Sequence, residues 1–134
     1  MRFMMIVKAS EESEAGVMPS EQELAEMARY NEKLVDAGMM LAGEGLQASS
    51  KGARVEFDGD ARRVIDGPFA ETKELIAGFW LIRAASMDEA IEWAKHVPFR
   101  EGQVEIRQVF ELDDFGPGEA VEHHRELYEK MAKE

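Results

Sequence analysis

The residues best suited to chemistry gather around one string, DGPFAETKE, in which Asp66 stands two places before Pro68 and is followed by Glu71, Lys73 and Glu74. An aspartate in a turn ordinarily accepts the N–H two residues on, but a proline has none to give. Asp66 is left with the amides of Phe69 or Ala70, a basic side chain, or a ligand. Pro68 also suits the first position of a short helical turn through PFAETKE, which would make Asp66 a negative charge near a helix N-terminus. The carboxylate reads either as a turn cap or as a candidate catalytic group. Glu71 is a second catalytic candidate. With Lys73 it reads either as a mixed-charge cluster at a cavity mouth or as solvated surface.

Other candidates lie further along the chain. Glu44 sits between Gly43 and Gly45, where missing side chains admit a ligand or serve a strand bulge. Glu105 and Arg107 alternate with Val104 and Ile106, so both carry their charges to one face of a strand, as binding groups for an anion or as a cross-strand pair. Tyr30 is a weak acid near its usual pKa, and its neighbour Asn31 interrupts an apolar stripe and needs a partner. His96 follows Glu92 by one helical turn and reads as a helix-end cation. His123 and His124 are adjacent and diverge on a helix, so no metal site is expected. No nucleotide, phosphate-loop or cofactor motif is present.

The chain that positions these groups has 134 residues, enough for one domain with its own core. Acidic residues outnumber basic ones by 28 to 16, for a net charge of −12, which disfavours nucleic acid and anionic membranes. It has no cysteine, which removes disulfides and thiolate chemistry. No segment reads as a signal peptide or membrane helix, so a cytoplasmic protein is expected.

FMMIVK (Phe3 to Lys8) reads as a central strand. PSEQELAEMARYNEKLVDAG reads as an amphipathic helix opened by a Ser20/Glu23 capping box, with Leu24, Met27, Ala28, Leu34 and Val35 inward. MMLAGEGLQ (Met39 to Gln47) is a glycine-weakened strand, and ARVEFDGDARRVID is a hairpin turning at Asp58-Gly59. LIAGFWLIRA is a further strand. SMDEAIEWAKHVP is a helix opened by Ser86 and Glu89 with Ala90, Ile91, Ala94 and Val97 inward, and QVEIRQVFEL closes the series. Without the hairpin and tail the order is the βαββαβ of ferredoxin-like α+β folds. Both helices then cover one face of the sheet, and the other face calls for a partner subunit. Residues 1–112 form the domain, and 113–134 form a helical tail after Gly116-Pro117-Gly118.

With AGMMLAGEGL before it and SMDEAIEWAKHVP and VEIRQV after it, DGPFAETKELIAGFWLI resembles the YCII-related family in its DGPF subgroup. The resemblance implies a dimeric α+β barrel with a cavity between sheets. It implies two functions. One is a small organic ligand, anionic or aromatic, held in an intersubunit cavity lined by Asp66, Glu71, Arg107 and Tyr30. The other is an interaction module for an extracytoplasmic-function sigma factor. Relatives that use an Asp/His pair carry the histidine on the first helix, and ELAEMARYNEKL has none. Any catalysis would then be a cofactor-free, lyase- or isomerase-like acid–base reaction without that dyad.

Overall fold

The structure, a computed structural model, describes residues 1–133. Its elements are β1 (Arg2–Lys8), α1 (Glu11–Glu14), α2 (Glu21–Asp36), β2 (Met40–Gly45), β3 (Ala53–Asp58), β4 (Ala61–Asp66), β5 (Ile76–Arg83), α3 (Met87–Ala94), β6 (Val104–Gln108) and α4 (Glu119–Ala132). Three short 3₁₀ turns, at Ser49–Lys51, Thr72–Glu74 and Leu112–Phe115, join them. The main sheet is antiparallel in the order β2-β5-β1-β6, and β3 pairs only with β4. This is the expected ferredoxin-like α+β fold with an inserted hairpin and a C-terminal helix.

Strand alternation divides the sheet cleanly. Phe3 and Met5 of β1 stand beside Ile82 and Trp80 of β5, and these four are buried with Tyr30, Leu34, Ala90 and Val97 from the helical layer. Ile106 and Val104 pair with Met5 and Val7 and pack on that core, as their alternation predicted. Met4 and Ile6, opposite Leu81 and Phe79, turn the other way and are only half-buried. Neither α2 nor α3 reaches that face.

The two helices that cover the sheet, α2 and α3, start at serine caps. The Ser20 side chain accepts from the Glu23 amide while Glu23 accepts from the Ser20 amide, closing the box. At α3 the Glu89 amide donates to Ser86 as expected, but the Glu89 carboxylate takes the Ala85 N–H instead of its cap's. The inward stripes differ from expectation. Met27, Tyr30 and Leu34 carry α2, while Leu24 and Val35 are more than half exposed. Val35 lies roughly 80° around the helix from Met27, outside the contact line. On α3, Ile91 is flanking and exposed, and Trp93 packs in its place.

The hairpin turns one residue later than expected, at Gly59-Asp60, with Gly59 at φ +59°. Beyond β6, Arg2 clamps Glu111 through Nε–Oε1 at 2.8 Å and Nη2–Oε2 at 3.2 Å, fixing the chain before α4.

Candidate functional site

On the helix side of the sheet, two register partners lack side chains. Gly45 of β2 faces Gly78 of β5, and Val7 stands beside Gly78 on β1. The missing bulk leaves a slot of about 240 Å³ between this glycine pair and α2. Trp80, Phe99, Met27 and Val7 form its apolar walls, with Trp80 and Phe99 rings 6.4 Å apart. Gly43, two residues earlier on the same face of β2, makes room for its neighbours: a Cβ on it would lie 3.1 Å from Trp80 Cδ1 and 2.7 Å from Met40 Cε. The strand irregularity falls just before it, between Met40 and Ala42.

The polar group of the slot is Asn31 on α2. Its Oδ1 accepts the Trp80 indole N–H at 2.8 Å. An indole nitrogen only donates, so the amide oxygen must face it and the NH₂ must face away. That NH₂ makes no hydrogen bond among the described residues and is not shut away from solvent, so its donors remain free to bond.

The remaining candidates do not converge on one site. Tyr30 lies in the core between the helices, with its hydroxyl donating to the Trp93 carbonyl at 2.8 Å and its ring edge-on to Trp80 at 5.5 Å. Burial pushes its pKa up to about 12. A phenol held that way is a packing group, and it lies on the helix side of the sheet. Glu105 and Arg107 do share the open face, but they pair with each other at 3.3 Å, and Glu105 also meets Lys8 at 3.8 Å. Glu44, opposite Phe79, turns its side chain to the same open face on the other edge strand, so the slot meets it at the backbone. Three strand spacings, about 14 Å, separate these two edges. His96 is not the partner of Glu92, which is held by Lys95 at 2.9 Å.

The DGPF turn is not the helical turn expected to open at Pro68. The Gly67-Pro68 peptide is cis, and the short helical turn begins only at Thr72, with Glu71 before it and Lys73 within it. Phe69 N–H donates to Ser49 Oγ at 3.1 Å, and Gly67 N–H donates to the Gly52 carbonyl at 3.0 Å. Gly67 presses so closely on the Ser49 carbonyl that no side chain fits there. Ser49 is held in turn by Glu14, which accepts both its hydroxyl and, at 2.9 Å, its amide. Arg54 lies 3.8 Å over the Phe69 ring. Asp66 is exposed and makes no side-chain bond among the described residues. Glu71 and Lys73 are exposed beside it.

Sequence reasoning singled out Asn31 as misplaced but not its partner, and it passed over Trp80, Phe99 and Gly78. The signal for the slot was two glycines, Gly45 and Gly78, whose pairing only the strand register reveals.

Residues 1–113 match the YCII-related domain family. An uncharacterized protein of Rhizobium meliloti (strain 1021) is 32% identical over 99 residues, covering 74% of this chain and 80% of that protein. Among solved structures, 5-chloro-2-hydroxyhydroquinone dehydrochlorinase from Burkholderia phenoliruptrix AC1100, in complex with 2,5-dihydroxybenzoquinone, aligns with a TM-score of 0.44 at 16% identity. The alignment covers 82% of this chain and 94% of that one. No helix among the described residues is long and apolar enough to cross a membrane.

Proposed function

This chain belongs to the YCII-related family, and within it we propose a DGPF-type protein that binds a small, flat organic molecule and works as a homodimer. The slot beside Asn31 carries the reading. Its walls are aromatic and aliphatic, and its polar group is an amide held by Trp80 with the donors outward. A cavity of about 240 Å³ is below the usual range for drug-sized ligands and suits a single-ring compound. Such a ligand needs a hydrogen-bond acceptor, a carbonyl or phenolic oxygen, to meet the Asn31 amide.

The proposed activity is binding. An amide and backbone groups orient a ligand but do not move a proton at neutral pH. The dimer rests on Met4, Ile6, Phe79 and Leu81, which bring apolar surface to a sheet face that the protomer's core helices leave open. Glu105 and Arg107 at one edge and Glu44 at the other would border that interface. Neither the fold nor the relatives favour docking on a sigma factor.

The test is an NMR titration of the full chain with single-ring phenols, aromatic aldehydes and lactones, followed at the Trp80 indole N–H and the Asn31 side-chain amide. Binding compounds should move both signals together. If every compound leaves both in place, the slot is packing space and the proposal fails.

A further inference from the structure

A larger cavity lies on the other side of Tyr30. Between α2 and α3 runs a groove of about 580 Å³, walled by Tyr30, Trp93 and Pro98 and edged by Arg29, Lys33 and His96. Tyr30 is fixed there by its bond to the Trp93 carbonyl, so the wall is preformed.

The charges at its edge are unusual for this chain. Arg29 and Lys33 stand one helical turn apart, where like charges repel. Neither makes an ion pair among the described residues, although acids outnumber bases by 28 to 16. Two carboxylates also line the groove: Glu92 is paired with Lys95 at 2.9 Å, and Glu26, which accepts from Gln22 at 3.2 Å, keeps its charge. Two exposed cations beside an aromatic wall, in a volume within the small-ligand range, form a site with an apolar side and an anion-binding side.

We infer that the α2–α3 groove is a second ligand site, separate from the slot, and that it takes an aromatic carboxylate. The ring lies on Trp93 and Pro98, backed by the buried Tyr30, and the carboxylate sits between Arg29 and Lys33.

Calorimetric titration of the full chain with benzoate tests this, beside benzamide as its neutral counterpart. Benzoate should bind and benzamide should bind about tenfold more weakly or worse. Arg29→Gln/Lys33→Gln, exposed positions whose replacement relieves a repulsion, should keep the thermal transition and lose about tenfold in benzoate affinity. Asn31→Ala should leave benzoate affinity unchanged, whether or not the slot binds anything. Absence of benzoate binding, equal affinity for the two compounds, unchanged affinity in the double variant, or loss of benzoate in Asn31→Ala would each overturn the assignment.

Discussion

The Trp80 indole N–H donates to Asn31 Oδ1 at 2.8 Å, and this one bond sets which end of the amide meets the slot. Asn31→Ala should therefore cost about 1–3 kcal/mol, because the indole N–H of the buried Trp80 loses its acceptor. Asn31→Asp keeps an acceptor and should cost less, yet it removes the NH₂ donors and should abolish binding of carbonyl or phenolic ligands. Urea unfolding of both variants, with the NMR titration, checks the pair. Equal loss of stability would mean the bond to Trp80 contributes nothing.

The two glycines that open the slot should respond differently to alanine. A Cβ on Gly78 would lie 2.8 Å from the Glu44 carbonyl oxygen, a backbone atom that cannot swing aside. Gly78→Ala should cost about 1–3 kcal/mol. A Cβ on Gly45 meets nothing within 4 Å, so Gly45→Ala should stay within about 0.5 kcal/mol of the parent while narrowing the slot. Thermal melts of the two variants side by side decide it.

Wild type should run at twice the chain mass of 15.1 kDa by light scattering. Leu81→Lys or Ile6→Lys sets a charge in the middle of the open sheet face and should give a folded monomer. A monomeric wild type would sink the dimer and the cavity between sheets.

In the DGPF turn, stability should follow Ser49 rather than Asp66. Ser49→Ala strips the Phe69 amide of its acceptor and Glu14 of a donor, and should cost about 1–2 kcal/mol. Asp66→Ala removes an exposed carboxylate with no partner among the described residues, and should change stability by no more than about 0.5 kcal/mol. Matched denaturant curves would reverse the assignment if Asp66→Ala proved the costlier change.

Glu14 also gives this corner a pH dependence. The Ser49 hydroxyl, then the Ser49 amide, hold its carboxyl below the usual 4.5. With the folded value depressed, the stabilisation is complete above the unfolded value and disappears as pH falls through the folded one. Glu14→Gln should therefore narrow the drop in melting temperature between about pH 6 and about pH 3. The drop should not vanish, because Glu23 and Glu92 are lowered likewise, by the Ser20 amide and by Lys95. A drop as deep as that of wild type would exclude Glu14 as a contributor.

Local grammar carried most of the fold. Serine caps, strand alternation and glycine breaks are written within a few residues, so the element order and the inward face of β6 could be read before any pairing was known. The slot could not, because it depends on relations across the sheet: Gly45 against Gly78, and Trp80 against Asn31 49 residues earlier. The same limit applies to the DGPF turn. That Pro68 denies Asp66 its usual bond follows from the tetrapeptide, but the substitute, Ser49, comes from 20 residues upstream. Glu105 and Arg107, by contrast, were legible together on one face, and Arg107 pairs with Glu105 within its own strand rather than across the sheet.

The division of the two tryptophans between the two cavities has a practical consequence. Trp80 walls the slot and Trp93 walls the groove, and the chain has no other indole. Each compartment thus contains its own intrinsic fluorophore. In Trp93→Phe the remaining emission reports on the slot, and in Trp80→Phe it reports on the groove, so occupancy of either can be followed optically without a label.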